Sequence, residues 1–242
     1  MLSIITVNLN NKFGLLKTKG TVELLATSTF DTDLEWIIVD GGSTDGSLDL
    51  DFGNFVKFDL IVGLDSGIYN AMNLGIDRAK GDFLLFLNSG DCLIGELTLL
   101  KSINSGLLFS SITEGTWLLR RDSIPLWIGM PASHQSIVFP ANKAIKYDES
   151  FFVSADYKYF IDHLIFGSTF NRVSSICSVV ENYGVSRTLR SKAFQESRKI
   201  RQRYFHSYYL VLADLLILAA SFLRFVNSFS WSSYLLNYKK RY

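Results

Sequence analysis

The sequence predicts an α/β fold in which a mostly parallel sheet is covered by helices on both faces. Over the first hundred residues, apolar β-branched runs alternate with stretches of helical spacing. Continuous apolar runs of this kind are typical of parallel strands that are buried on both faces. Clusters of Asp, Asn and Gly follow the runs, as is usual for ligand sites at the carboxyl ends of parallel strands. The 242 residues suffice for one large domain with an appendage.

The elements are predicted in chain order. Strands are predicted at 2–9, 34–42, 58–64 and 81–88, because each is a short apolar run bounded by turn residues. Helices are predicted at 14–28, 46–55 and 67–80, where apolar residues recur at helical spacing, although the second pattern is weak. Further helices are predicted at 94–103 and 157–166.

Polar residues gather at four predicted strand ends: Asn8 and Asn10, residues 40–46, Asp65, and Asp91. Four strand ends that each carry an Asp or Asn are more than the formation of turns usually accounts for, and they indicate a binding site at one rim of the sheet. Two local alternatives stay open. Residues 40–43 could form only a tight turn that caps the next helix, and Asp91 could cap the helix at 94–103 instead of binding a cation. Neither a P-loop nor a GxGxxG motif is present at these positions.

The C-terminal tail differs in charge from the rest of the chain. From Arg187 onward there are eleven Lys or Arg and two acidic residues, net +9, whereas residues 1–186 carry thirteen and twenty-one, net −8. The tail contains an apolar run at 207–226 with aromatic residues at its edge and basic residues on both sides. Asp214 lies near the middle of this run, and an acidic residue there disfavours a bilayer span.

These features allow three placements of residues 207–226. The basic flanks favour a helix that lies on, or dips into, an anionic cytoplasmic leaflet. The alternatives are a helix hairpin packed on the domain and a true membrane span. The two cysteines, Cys92 and Cys177, form no CxxC pair, and the chain starts without a signal-peptide pattern, so the body is expected to be cytosolic.

Six segments resemble, in order, the motifs of bacterial family 2 glycosyltransferases, and most closely the colanic acid and O-antigen biosynthesis branch. They are "SIITVNLN", "EWIIVDGGSTDGS", "DSGIYNAMNLGIDRAKGDFLLFLNSGD", "PASHQSIVFP", "YDESFFVSADYKYFI" and "YGVS". Such enzymes have the GT-A fold, use a nucleotide-activated sugar with a divalent cation, and invert the anomeric centre. The resemblance implies a catalytic domain at 1–190, with a nucleotide-sugar half at about 1–95 and an acceptor half at about 96–190, followed by a helical tail at 191–242.

The resemblance also implies roles for individual residues. Asp91 is expected to bind Mn²⁺ or Mg²⁺, although the further acids that many relatives carry in this motif are replaced by Asn88 and Gly90. Asp156 is expected to be the general base that takes the proton of the acceptor hydroxyl. The donor is expected to contact Val7, Asn8, Asn10, Asp40, Gly41, Gly42, Asp65, Gly67, Asn70, Asn73, Asn88 and Ser89, with His134 and Gln135 beside the acceptor and the metal-diphosphate region.

Two of these residues have local alternatives. Asp156 could be the N-cap of the helix predicted at 157–166, because a carboxylate is a common cap. His134 precedes a predicted strand and could be a satisfied core histidine. Only the order of the motifs favours a functional role for either residue.

The sequence therefore predicts a metal-dependent inverting glycosyltransferase of bacterial O-antigen, capsule or exopolysaccharide biosynthesis. Its expected acceptor is a polyprenyl-diphosphate-linked glycan, and its expected location is the cytoplasmic face of the cell membrane, peripherally attached. No nucleic-acid partner is expected. One alternative is a sugar nucleotidyltransferase. That class usually has a Gly-rich loop with a basic residue near the first strand, and the stretch "NLNNKFG" at this place is not such a loop. The other is a non-catalytic nucleotide-sugar-binding scaffold, which the reduced metal motif keeps open.

Overall fold

The computed structural model describes residues 1–27, 33–53, 57–63, 66–114, 119–120, 124–181 and 189–219. The predicted site residue Asp65 and the "YGVS" segment lie outside the described residues. The strands are β1 (Leu2–Asn8), β2 (Leu34–Asp40), β3 (Lys57–Val62), β4 (Phe83–Phe86), β5 (Cys92–Ile94), β6 (Gly106–Thr113), β7 (Leu119–Arg120), β8 (Ile137–Pro140) and β9 (Phe170–Val180). The helices are α1 (Lys12–Leu25), α2 (Ile68–Arg78), α3 (Ala155–Ile165), α4 (Arg190–Tyr204) and a tail helix whose described residues are 207–219.

The sheet is parallel in its first half and mixed in its second. Its strand order is β3-β2-β1-β4-β8-β6-β9-β5, with β7 paired beside β6. The first four strands pair in parallel, which confirms the prediction for that half. Beyond β4, strand β8 runs antiparallel to both β4 and β6, and β5 runs antiparallel to β9. The prediction of a mostly parallel sheet is therefore wrong for the second half.

Alternate residues of each central strand pack on opposite faces of the sheet. In β1, Ile5 joins a core cluster with residues of α2, α3 and α4, whereas Leu2 and Ile4 join a second cluster with residues of α1. The same alternation occurs in β4, where Phe86 and Leu85 belong to different clusters. Both faces are covered by helices, as the continuous apolar runs predicted.

The helix predicted at 94–103 does not form. Residues Cys92–Ile94 are instead the edge strand β5, paired with residues 177–179 of β9, and only Thr98–Lys101 makes a 3-10 helix. Asp91 therefore does not cap a helix, and that alternative is wrong. The weak helix at 46–55 reduces, among its described residues, to the 3-10 helix Ser47–Asp49.

The first part of the predicted tail belongs to the core. Helix α4 packs there through Ile200, which is fully buried. Asp214 of the tail helix pairs with Arg198 and Arg201 of α4, so one side of the tail helix faces the domain. Its other side exposes Tyr208, Val211, Leu215 and Leu218. Within the described residues, no helix has the length and apolar character needed to cross a membrane.

Candidate active site

The loop after β2 is held together by the Asp40 carboxylate. This carboxylate is fully buried and accepts hydrogen bonds from Asn8 Nδ2 at 2.7 Å and from the Ser43 hydroxyl at 2.8 Å. It also accepts the backbone N–H groups of Gly42 and Ser43, at 2.9 Å and 2.6 Å. Asp40 therefore shapes the rim of the sheet, as in the tight-turn alternative, and its contact with a nucleotide stays a prediction.

Asn10 links the end of β1 to the same loop. It has a φ of 49°, a left-handed backbone conformation that Asn tolerates better than most residues. Its amide oxygen accepts the backbone N–H of Thr44 at 2.8 Å, while Gly41 N–H donates to the Asn8 carbonyl at 3.0 Å. The Val7 carbonyl accepts Ser89 N–H at 3.2 Å. The predicted donor residues of the first two strands thus lie at one rim, next to the turn at 88–91.

The turn at 88–91 is braced from α1. The Thr18 hydroxyl accepts Gly90 N–H at 3.0 Å and lies within hydrogen-bonding distance of the carbonyls of Asn88 and Asp91. Asn11 exchanges hydrogen bonds with Ser89, through its amide nitrogen and its own carbonyl, each at 3.1 Å. The motif is therefore fixed by buried tertiary contacts and does not depend on a following helix.

The Asp91 carboxylate joins two distant segments. Its exposed fraction is 3%, Oδ2 accepts the Gln135 side-chain amide at 3.0 Å, and Oδ1 accepts the backbone N–H of Glu181 at 3.0 Å. Burial raises the pKa of Asp91 from 3.8 to about 6, against the lowering effect of these hydrogen bonds. Asp91 thus ties the turn after β4 to the end of β9 and to Gln135.

Gly90 is close to a second acidic side chain. Its φ is +103°, and a Cβ placed on it would lie 2.2 Å from the carboxyl carbon of Glu181. The positive φ favours glycine at position 90, and a side chain there would also displace the flexible end of Glu181. The carboxylate of Glu181, which follows β9, therefore lies against the turn at 88–91.

The donors in this region do not form a cation site as they stand. Among the described residues, no group of three or more His, Cys, Asp or Glu side chains could hold a metal ion. Asp91 is enclosed by its contacts, and Asn88 adds a buried amide oxygen without a hydrogen-bond partner. A divalent cation takes about six oxygen ligands. The cation expected at Asp91 stays a prediction without a matching set of donors in the described chain.

Asp156, His134 and Asn88 meet at the same rim. The amide nitrogen of Asn88 lies 3.2 Å from His134 Nε2, and His134 Nδ1 lies 3.7 Å from Asp156 Oδ2. An amide nitrogen only donates, so Nε2 accepts and this pattern assigns the ring proton to Nδ1, which faces Asp156. The side chains of His134 and Asp156 are 15% and 24% exposed, so both reach solvent.

The N-cap alternative for Asp156 does not hold, whereas the core alternative for His134 stays open. The N-cap of α3 is Ser154, and Asp156 lies inside the first turn. A negative charge there is favoured by the helix dipole. His134 lies in a short 3-10 helix and has polar groups near both ring nitrogens, which fits both a functional histidine and a satisfied structural one.

The predicted donor residues of α2 contact the loop before α3. Asn73 donates to the Tyr147 carbonyl at 3.0 Å and accepts Tyr147 N–H at 2.8 Å. Its amide also reaches the Glu149 carboxylate at 2.9 Å, as does Asn70 at 3.2 Å. Gly67, which has a φ of 128°, is the N-cap position of α2 and is solvent-exposed. Asn70 and Asn73 thus connect α2 to the loop before α3, and their contact with a donor stays a prediction.

Replacing Asp91 by Asn is expected to stabilise the metal-free protein at neutral pH. Because the pKa of Asp91 is raised from 3.8 to about 6 in the folded protein, ionisation costs free energy on folding. The cost is absent below pH 3.8, grows as the pH rises through about 6 and then stays at ~3 kcal/mol, given 1.36 kcal/mol per pKa unit. Asn can accept Glu181 N–H and donate to a reoriented Gln135.

The measurement is urea unfolding in a chelating buffer across this pH range. The difference in unfolding free energy between Asp91→Asn and wild type should grow with pH. Glu96→Gln removes an exposed acid and serves as the control without such growth. A difference that is the same at acid and neutral pH would contradict the prediction.

Several contacts of the site were not identified from the sequence. Thr18, Glu149 and Glu181 were missed because each acts through a partner more than 70 residues away. Glu181 had a usable signal, since it directly follows a strand, as the Asp and Asn residues do at the first four predicted strand ends. Thr18 and Glu149 lie within an ordinary helix and a polar loop and carry no local signal.

Part of the sequence is similar to curated glycosyltransferases. A "PGL/p-HBAD biosynthesis glycosyltransferase" of Mycobacterium bovis is 44% identical over 73 residues, which is 28% of this chain and 28% of the relative. An "uncharacterized glycosyltransferase" of Mycobacterium tuberculosis is 36% identical over 94 residues, 38% of this chain and 35% of the relative. The matched stretches thus span about a third or less of these relatives. No protein-family profile matches the chain.

Solved structures share the fold over most of the chain. S. aureus TarS 1-349 in complex with UDP aligns with a TM-score of 0.64 at 15% identity, covering 83% of this chain and 64% of that one. A mannosyltransferase from Pyrobaculum calidifontis, solved with GDP-Man and Mn²⁺, aligns with a TM-score of 0.57 at 12% identity, covering 91% and 74%. The chain therefore has the fold of these two proteins, and part of its sequence is shared with curated glycosyltransferases.

Proposed function

We propose that this protein is a glycosyltransferase that moves a sugar from a nucleoside-diphosphate donor to an acceptor hydroxyl. The observation that carries the proposal is the meeting of Asp156, His134 and Asn88 at the rim formed by the carboxyl ends of the parallel strands. The names of the sequence relatives and the nucleotide ligands of the structural neighbours support the same activity.

In this proposal, transfer proceeds by a single displacement. Asp156 takes the proton of the acceptor hydroxyl while that oxygen bonds to the anomeric carbon. The bond between this carbon and the diphosphate breaks, and its electron pair leaves on the phosphate oxygen, so the anomeric centre inverts. His134 directs its Nδ1–H toward Asp156 and orients the carboxylate. A divalent cation, when bound, would offset the charge of the leaving diphosphate, and Asp91 is the residue predicted to hold it.

We also propose a lipid-linked acceptor, a polyprenyl-diphosphate glycan of a surface polysaccharide, and peripheral attachment to the cytoplasmic membrane face. Support comes from the tail helix, whose outer side exposes apolar residues, and from the net positive charge of the chain after Arg187. Pairing of Asp214 with two arginines keeps its charge on the inner side of the helix. An apolar outer side within a basic segment suits an anionic bilayer surface.

The test of the activity combines binding with turnover. UDP, GDP, CDP and dTDP are each titrated with and without Mn²⁺, and the matching nucleotide-sugars are then assayed for release of free nucleotide. A bound nucleotide should raise the melting temperature, because a ligand of the folded state stabilises it by about 2.7 kcal/mol at a hundredfold excess over Kd. Slow release of nucleotide without acceptor should follow for one donor.

The outcomes separate the candidates. Binding with no release of nucleotide would favour the non-catalytic scaffold, an alternative supported by the enclosed position of Asp91. Absence of binding by all four nucleotides would reject both a transferase and a nucleotide-sugar-binding scaffold.

Membrane attachment is expected to depend on the outer side of the tail helix. The triple substitution Val211→Gln, Leu215→Gln and Leu218→Gln should abolish co-sedimentation with vesicles containing phosphatidylglycerol, because it removes apolar surface that would enter the bilayer. The control replaces Leu24, Ile94 and Ile165 by Gln, residues that are 59–68% exposed, comparable to the 59–62% of the tail residues. Equal sedimentation of both variants would contradict attachment through this helix.

A further inference from the structure

We propose that Glu196 of helix α4 is a positioning residue for the candidate base Asp156. The inference rests on the proposed function, because it assigns Asp156 to proton transfer. Glu196 does not touch the rim where the reaction is proposed. It acts through the backbone at the start of α3, the helix that carries Asp156.

The Glu196 carboxylate binds three consecutive backbone N–H groups. Oε1 accepts Phe152 N–H at 2.9 Å, and Oε2 accepts Val153 N–H at 2.8 Å and Ser154 N–H at 3.0 Å. Glu196 is 7% exposed, so little water competes for these groups. Hydrogen bonds to a buried charged acceptor are roughly twice as strong as neutral ones.

Helix α3 is not capped by the side chain of its N-cap residue. Its N-cap residue, Ser154, makes no side-chain hydrogen bond to the helix. The Ser154 hydroxyl is directed to α4 instead, where it lies 3.1 Å from the Ala193 carbonyl and 3.1 Å from the Ser197 hydroxyl. The N–H groups that Glu196 binds belong to the N-cap residue and to the two residues before it, so the carboxylate holds the segment that leads into the helix. Its negative charge lies at the helix start, where the helix dipole favours it.

The same segment is held from the opposite side by α2. The Tyr69 hydroxyl donates to the Val153 carbonyl at 2.6 Å, and Tyr69 is buried. Residues 152–154 are thus held between α2 and α4. Burial of these contacts leaves the start of α3 little freedom to move.

The position of Asp156 follows from this arrangement. It lies two residues after Ser154 in the first turn of α3, and its Oδ2 lies 3.7 Å from His134 Nδ1. A displacement of about 1 Å at a reacting group can cost roughly 100-fold in rate. We therefore infer that loss of the Glu196 contacts moves the base relative to its substrate, without altering the donor site at β1 and β2.

The test compares Glu196→Gln and Glu196→Ala with wild type in the full chain. The turnover number should fall about 10- to 100-fold, more in the Ala variant, while the KM for the donor and the Kd for the nucleotide stay unchanged. Hydrogen exchange should become faster at the amides of residues 152–157. Gln195→Ala and Lys199→Ala, exposed neighbours on the same helix, are the controls and should match wild type.

The readouts distinguish the possible failures. A Glu196→Gln variant that folds by circular dichroism and keeps the wild-type turnover number would overturn the proposal, as would an equal loss in turnover and nucleotide binding. If the Ala variant does not fold, the Gln variant alone decides. If wild type itself turns over no donor, the proposed function fails, and unchanged exchange at 152–157 in the Gln variant would separately overturn the positioning role.

Discussion

Asp156→Asn is expected to lower the turnover number by about 10²- to 10⁴-fold, the usual contribution of a positioned general base. An amide cannot accept the proton of the acceptor hydroxyl. Asn is nearly the same size. Among the described residues, the Asp156 carboxylate accepts the backbone N–H of Tyr157 at 2.8 Å and lies 3.7 Å from His134 Nδ1, and Asn can accept the same N–H. Folding and nucleotide affinity should therefore stay close to those of wild type, which isolates the loss to the chemical step.

The control for this prediction lies on the same helix. Asp162→Asn removes a carboxylate that pairs with Lys158 at 2.6 Å and accepts the Tyr204 hydroxyl, away from His134. This variant should have a lower free energy of unfolding than wild type and nearly the same turnover number. Near wild-type turnover in Asp156→Asn would remove the base assignment and leave His134 as the next candidate, since it is the other titratable group in this trio.

Asp214→Ala is expected to lower the free energy of unfolding by about 3–5 kcal/mol, as is typical when one partner of a buried ion pair is removed. Arg201 is 1% exposed, and among the described residues its guanidinium has two hydrogen-bond partners, the Ile128 carbonyl at 3.0 Å and Asp214 Oδ1 at 3.1 Å. Its buried Nε has no partner within that part of the chain. Removing Asp214 therefore leaves a buried charge with no counterion among the residues that the structure describes.

Urea unfolding followed by circular dichroism measures this effect. The double variant Arg201→Met with Asp214→Ala should recover much of the loss, because neither charge is then buried alone. Asp77→Ala is the comparison, since Asp77 pairs with Lys146 at 2.6 Å on the surface and is 63% exposed. It should cost less than about 1 kcal/mol. A similar loss in both single variants would show that Arg201 does not depend on Asp214.

Of the three placements of the tail drawn from the sequence, packing on the domain and attachment to a membrane surface do not exclude each other. Asp214 and the buried Ala213 face the domain, as a packed hairpin requires, while Val211 and Leu215 point outward. The partners of the acidic residue in the apolar run are Arg198 and Arg201 of α4, and they are found only after the chain has folded.

Local sequence determined the first half of the fold. Strands β1 to β4 were predicted because short apolar runs bounded by turn residues are typical of strands in a parallel sheet, and β1, β2 and β4 are buried as such runs predict, whereas β3 is partly exposed. Strand β5 was missed because it depends on a distant strand. Its three residues pair with β9, about 85 residues later, and such pairing overrides the helical spacing of the residues that follow.

The sequence by itself also determined which residue types stand at the strand ends, and so the general place of a site. Only the tertiary structure decided how they are used. It brought Asp156, His134 and Asn88 together. It buried the carboxylates of Asp40 and Asp91. It also placed Glu181 against Gly90, and Glu196 against the segment before α3. The reason is physical: propensity and periodicity act over a few neighbouring residues, whereas burial and hydrogen bonding of a carboxylate depend on whichever distant segment packs against it.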